Sequence, residues 1–271
     1  MNRILFEKHE ISDGHVAFSD ERAEYVLNVL HGAVGQTLKT GELDGRIGTS
    51  VITEIRDLRR REEGSAQRGS GLLSGTVVVA CDHGDVAPAP WFDLILAPPR
   101  PRALKRLLPQ LAALGVGRIV LVGAAKVEKS FWGAQLLREE VYRPLLVEGL
   151  MQSGTTAVPE IVSERNIRRY LTQQVAHAFS GGARIIAHPA PAGPGASSDG
   201  GASPSAGPRS GADGALGRVV IAVGPEGGWT DEEVGLFEMQ GFVRYSLGGR
   251  ILRTDTATIA LIAQLMLRYG G

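Results

Sequence analysis

The sequence predicts an α/β protein in two parts: a small β-barrel over residues 1–82, then a parallel-sheet domain over residues 90–271. Three observations predict it. The first part consists of short β-branched runs punctuated by glycine. The second alternates apolar strand-like runs with helical periodicity. A segment made almost entirely of Pro, Ala, Gly, Ser and Asp interrupts that alternation at residues 189–217.

In the first part, Gly32, Gly35, Gly41, Gly45 and Gly48 separate runs such as Gln36–Lys39 and Thr49–Thr53, and Thr76–Ala80 is another β-branched run. Several short strands with glycine turns read as a small barrel. One helix interrupts them after Ser19, a candidate N-cap, and a polar loop follows near residues 59–71.

In the second part, Trp91–Leu96 reads as a strand and Ala103–Leu114 as a helix, kinked or broken at Pro109. Ile119–Val122 is a strand, residues 136–152 a helix, Ile161 and Val162 lie in a strand, and residues 166–178 form a helix. Arg184–Ala187 and Val219–Val223 are strands, and Arg244–Leu247 is another. Such alternation is the pattern of a parallel sheet covered by helices on both faces. Residues 189–217 cannot bury enough apolar surface to offset their ordering entropy, and read as a disordered insertion. The final helix, capped by Thr254 or Asp255 and ended by Gly270, is apolar on more than one face. It therefore suits a core or a subunit interface.

Composition excludes some functions. Lys plus Arg and Asp plus Glu number 29 each, so no global basic footprint exists and any nucleic-acid contact must be a local patch. Cys81 is the sole cysteine, which excludes an intrachain disulfide and a cysteine-based zinc site. The N-terminus is charged throughout and lacks a signal peptide's apolar core, so a cytoplasmic location is expected. No apolar run approaches the roughly 18 residues of a membrane span.

Chemistry concentrates in two glycine turns. Gly224-Pro225-Glu226-Gly227-Gly228 follows Val219–Val223 and precedes a capping box, Thr230 to Glu233. Gly227 and Gly228 allow positive φ and close approach of a ligand to the backbone. A strand-to-helix turn that needs glycine only as punctuation explains them equally well. No nucleotide-binding glycine signature is present, and three acids after the turn disfavour an anion there. The second turn, Leu247–Thr256, also links a strand to a helix. Two such turns after neighbouring strands would meet at the same edge of a parallel sheet, where open α/β sheets hold ligands.

GPEGGWT together with LGGRILRTDTA resembles the signature of the RsmE-type ribosomal RNA methyltransferases of the SPOUT superfamily. Tyr25–Leu30, Leu114-Gly115-Val116, Gln152-Ser153-Gly154 and Val158-Pro159 resemble shorter family signals, so the likeness spans nearly the whole chain outside the insertion. The resemblance implies a trefoil-knotted domain, a rare exception to the rule against threaded chains, preceded by a PUA-like RNA-binding barrel. It implies a metal-free homodimer that uses S-adenosyl-L-methionine to methylate N3 of a uridine in 16S small-subunit rRNA. The cofactor is expected among His188, Gly224, Glu226, Gly227, Gly228, Leu247, Gly248, Ile251, Leu252 and Thr254. Backbone groups would read the adenine edge, and apolar side chains would pack its faces. Glu226 would face the sulfonium or cap a local amide. Uridine N3 must lose a proton as the methyl arrives, so the developing uracil anion needs stabilisation; Arg253 is the first candidate and Arg250 the second. Both could instead contact phosphate or the helix start.

Arg100, Arg102, Lys105 and Arg106 place four cations at a helix start without an acid. The helix dipole disfavours them there, and a phosphate partner in RNA would explain them. A solvated helix face is the alternative. Lys126 and Lys129 near Phe131 and Trp132 form a second, weaker candidate surface, for which simple packing is the alternative.

Parts of the family's substrate half are altered. His31 stands where members carry Arg, Gln110 and Ala113 where they carry Lys and Glu, and Met151–Thr156 replaces a segment with Glu-Gln and a following Arg. Methylation at another RNA position, such as a ribose 2′-O, therefore stays open. So does a non-catalytic RNA-binding assembly factor.

Overall fold

The computed structural model describes residues 2–61, 72–175, 179, 182–188 and 218–269. The insertion read at 189–217, most of the polar loop near 59–71, Gly270 and the end of the helix read to residue 178 lie outside the described residues. The chain divides into two compact units. One comprises Met1–Pro88 with Leu150–Val158, the other Ala89–Gly149 with Pro159–Gly271.

The first unit is a five-stranded mixed sheet built from β1 (Ile4–Phe6), β2 (His15–Phe18), β3 (Thr37–Glu42), β4 (Ile47–Arg61) and β5 (Leu72–Asp85), in the order β1-β3-β4-β5-β2. Only β1 and β3 pair in parallel. β4 and β5 extend well beyond the runs read from sequence, with register shifts along their ladder. Cross-strand hydrogen bonds, not local propensity, carry them past their β-branched centres. Alternate residues Val16 and Phe18, Leu38, Ile52, and Val77 and Val79 point inward, and α1 (Glu21–Asn28) covers them with Ala23, Val26 and Leu27. Asp20, not Ser19, caps α1: its carboxylate accepts from the Arg22 amide at 2.9 Å. A carboxylate caps as well as a hydroxyl and also favours the positive end of the helix.

Residues 150–158 belong to this unit through specific bonds. Met151 O accepts from the Asn2 and Arg3 amides at 2.9 and 3.1 Å. The Thr156 hydroxyl donates to Gly45 O at 2.8 Å, and the Val158 amide donates to the Asp44 carboxylate at 2.7 Å.

The second unit is a six-stranded sheet of β6 (Phe92–Leu96), β7 (Val116–Val122), β8 (Glu160–Glu164), β9 (Arg184–Ala187), β10 (Val219–Val223) and β11 (Val243–Tyr245), in the order β11-β9-β10-β6-β7-β8. Every pairing is parallel. β6 and β10 are buried at every residue, as expected for central strands covered on both faces. Ile95, Val120, Val122, Ile186, Val220 and Ala222 face α4 (Ile167–Gln173) and α5 (Asp231–Met239). The alternate residues face the other way, where α2 (Pro101–Ala113) packs with α6 (Thr254–Tyr269). α3 is Glu139–Ser153.

Pro109 neither ends nor breaks α2. It removes one backbone bond, but burial of Leu104, Leu107, Leu108 and Leu111 on one side outweighs that loss. β11 stops at Tyr245, two residues short of the strand read from sequence, because β9, its only ladder partner among the described residues, ends at Ala187 opposite Tyr245. Among the described residues no helix is long and apolar enough to cross a membrane.

Candidate active site

Because all six strands run the same way, their carboxyl ends meet at one edge. β6, β7, β9, β10 and β11 end there in the segments starting at Ala97, Gly123, His188, Gly224 and Ser246. From β6 the chain proceeds outward to β7 and β8, whereas β10, β9 and β11 lie on its other side. The β6/β10 junction is thus a topological switch point, where such sheets open a crevice. The two glycine turns follow β10 and β11, which are separated by β9 alone.

The first turn is closed by a 2.8 Å bond from the Gly228 amide to Pro225 O. Gly228 takes φ +69°, a conformation that strains other residues. The capping box read from sequence is present. The Thr230 hydroxyl accepts from the Glu233 amide at 3.2 Å, and the Glu233 carboxylate accepts from the Thr230 amide at 2.8 Å. The other Glu233 oxygen accepts from the Ala125 amide at 2.8 Å, so this buried carboxylate ties the segment after β7 to the turn after β10. Lys126 adds a second tie, its ammonium donating to Gly227 O at 2.8 Å. Sequence reading placed both residues but neither link. No sequence signal separates Glu233 from the exposed acids Asp231 and Glu232 that precede it, beyond its place as the N3 residue of the box.

In the second turn Gly248 has φ +98°, and its amide donates to the Ser246 hydroxyl at 3.2 Å. Leu247 and Leu252 are half-buried, Arg250 and Arg253 exposed, and Ile251 is 99% exposed. Thr254 is buried, and its hydroxyl donates to Gly224 O at 3.3 Å. That bond joins the two glycine turns. Asp255 is 3.3 Å from Arg106, so one cation of the α2 patch has a partner, while Arg100, Arg102 and Lys105 are exposed. Glu226 is exposed and accepts from the Arg100 amide at 3.4 Å.

Among the described residues, two polar atoms at this edge are buried without a partner: Nδ1 of His188 and Nε1 of Trp229. The His188 amide donates to Tyr245 O at 3.1 Å, which fixes its position. Burial lowers the His188 pKa; Arg244 and Lys126 act in the same direction, and Asp231 and Glu238 oppose them. A histidine whose folded pKa lies below its unfolded value binds fewer protons when folded. Its contribution to stability is therefore complete above the reference value of 6.5 and declines as pH falls below it. Thermal unfolding at pH 7.5 and 5.5 is expected to show a smaller acid loss in His188→Asn than in the parent chain. An equal loss in both would remove His188 as its source.

Among the described residues no group of three or more His, Cys, Asp or Glu side chains is placed to hold a metal. Fold and site together define the class: an α/β protein with two glycine turns joined at the carboxyl edge of a parallel sheet and a basic helix start beside them. Residues 87–266 match the model of the RNA methyltransferase domain, and the chain belongs to that family. The ribosomal RNA small subunit methyltransferase E of Treponema pallidum is 28% identical over 98% of this chain and 91% of its own length. A structure of ribosomal RNA small subunit methyltransferase E from Neisseria gonorrhoeae, bound to S-adenosyl methionine, has TM-score 0.67 at 22% identity, covering 99% of this chain and 98% of that one. A methyltransferase of Legionella pneumophila with bound cofactor SAM has TM-score 0.66 at 21% identity, covering 98% and 97%. These two structures establish the shared fold.

Proposed function

We propose that the protein transfers a methyl group from S-adenosylmethionine to N3 of a uridine in 16S, small-subunit rRNA. Family membership supports the reaction class, and the near-full-length likeness to the Treponema protein supports the small-subunit RNA. The observation in this chain that carries the reading is the bond from Thr254 to Gly224, which makes one site of two glycine turns at the switch point.

The residues present fit the donor. The partnerless Nδ1 of His188 and Nε1 of Trp229 lie in the segments expected to meet a polar heterocycle. At Gly228 and Gly248 no neighbouring group among the described residues stands within 4 Å of where a side chain would be, which lets a ligand approach the backbone there, and Leu247, Ile251 and Leu252 supply apolar surface. Thr254 holds the two turns together. Glu226 and Asp231, both exposed, suit a cationic ligand, consistent with the positive sulfonium. When bound, the cofactor supplies an electrophilic methyl group on that sulfur.

Arg253, seconded by Arg250, stabilises the uracil anion as N3 gives up its proton to solvent water and takes the methyl group from the sulfonium. Arg100, Arg102, Lys105 and Arg106 hold RNA phosphates, and the first unit, as a PUA-like barrel, adds a further RNA surface. Membership of the RNA methyltransferase family supports a trefoil knot in the second unit. Leu267 on α6, 90% exposed, supports a homodimer that covers it with a second copy. An rRNA substrate is consistent with work in the cytoplasm.

Calorimetric titration with S-adenosylmethionine, followed by transfer of a labelled methyl group to small-subunit RNA, tests the proposal. A methyl on N3 blocks the Watson–Crick edge, so reverse transcription is expected to stop at one uridine. Transfer without a stop would shift the reading to a ribose 2′-O or another position. Neither binding nor transfer would leave the assembly factor.

A further inference from the structure

Gly227 poses a question that backbone conformation does not answer. Gly228 carries the positive φ, and Gly227 is absent from the positive-φ residues. Yet a Cβ built on Gly227 would meet the Lys126 side chain, 2.9 Å from Cδ, 3.4 Å from Cβ and 3.7 Å from Cγ. The Lys126 stem occupies the space a side chain at 227 would fill, and its ammonium bonds the carbonyl of the same residue at 2.8 Å.

Holding an exposed lysine in one geometry costs side-chain entropy that usually offsets most of the contact. Here both chain neighbours are pinned. The Ala125 amide is bound by the buried Glu233 carboxylate, and Val127 packs against the core cluster and donates its amide to Ala124 O at 3.1 Å. The Lys126 backbone is therefore held before its side chain reaches the turn, which reduces the entropy lost in making the contact.

We propose that Lys126 is a positioning residue, a strap across the glycine turn that holds the Gly227 peptide in its donor-binding orientation, and that residue 227 is glycine in order to seat it. This rests on the proposed function for what the turn binds, but not for the strap itself. Lys126 does not touch the reacting atoms. It acts through the carbonyl of Gly227.

Two sets of measurements test it. In the first, donor affinity is measured for Lys126→Ala, Gly227→Ala and the double variant. Each single change is expected to weaken binding about fivefold, roughly the loss of one charge-assisted hydrogen bond at an exposed site. The double variant is expected to be no weaker than Lys126→Ala, because the Cβ then has room. The KM for donor should rise with kcat retained, and Lys126→Arg should restore most of the affinity. Multiplying losses in the double variant, or an unchanged affinity in Lys126→Ala, would overturn the strap.

The second set needs no cofactor. Amide hydrogen exchange of a peptide spanning residues 224–230 is expected to accelerate in ligand-free Lys126→Ala, while peptides from β6 and β10 keep parent protection. Unchanged exchange at 224–230 would overturn the proposal by itself. A parent chain that binds no donor would defeat the proposed function and leave exchange to decide the strap.

Discussion

Arg253→Ala is expected to leave donor affinity within about twofold while reducing turnover on the order of 10²- to 10³-fold, the usual effect of removing one donor to a developing anion. Arg253 immediately precedes Thr254, whose hydroxyl is bound to Gly224, and its carbonyl accepts from the Ala257 amide at 2.8 Å. The backbone at 253 is thus anchored to the glycine turn after β10 while the side chain is exposed. A guanidinium stays charged at any working pH and offers several donors, whereas lysine offers a point charge. Arg253→Lys should recover only part of the rate. Single-turnover rates at saturating donor and RNA separate this role from RNA affinity. If turnover is unchanged, Arg253 has no catalytic role and Arg250→Ala becomes the next variant. If only the KM for RNA rises, Arg253 is a phosphate contact.

Glu233→Ala carries the second large effect, on stability. The side chain is 5% exposed, and its oxygens accept from the Ala125 and Thr230 amides and from the Thr230 hydroxyl. Removing it leaves these donors without their acceptor and takes away the N3 half of the α5 capping box, while the Thr230 hydroxyl cap remains, which together cost about 3 kcal/mol. Trp229 reports on the same place, since its ring lies 4.9 Å from that of Phe237 on α5. Urea unfolding followed by tryptophan fluorescence should show a lower midpoint, and donor binding should weaken with it because the segment after β7 is released from the turn. A midpoint change equivalent to less than about 0.5 kcal/mol, the range of an ordinary surface substitution, would show that the three bonds are replaced by water.

The residues that sequence reading placed well share a physical property: their structure depends on their immediate neighbours. Arg184–Ala187 and Val219–Val223 form strands over the residues read, because a short, apolar, β-branched run bounded by breakers has few alternatives. The Thr230–Glu233 box closes on itself within one turn. Glycine at 228 and 248 meets a local demand for positive φ. What local pattern could not supply was partnership. The lengths of β4 and β5 come from their mutual ladder, and the survival of α2 through Pro109 comes from leucines buried against other elements. Residues 150–158 join the first unit through bonds to Asn2, Arg3, Asp44 and Gly45, more than a hundred positions away in the chain.

The site divides in the same way. By itself the sequence determined the alternating α/β order, the two glycine turns and the cationic start of α2, because each is written in consecutive residues. Only the tertiary structure decided that the Thr254 hydroxyl reaches Gly224, that Glu233 holds the amide of Ala125, and that the Lys126 stem fills the space beside Gly227. Those pairs lie 30, 108 and 101 positions apart. Their meeting depends on six parallel strands ending at one edge, a geometry set by the packing of whole strands and helices and not by any single segment.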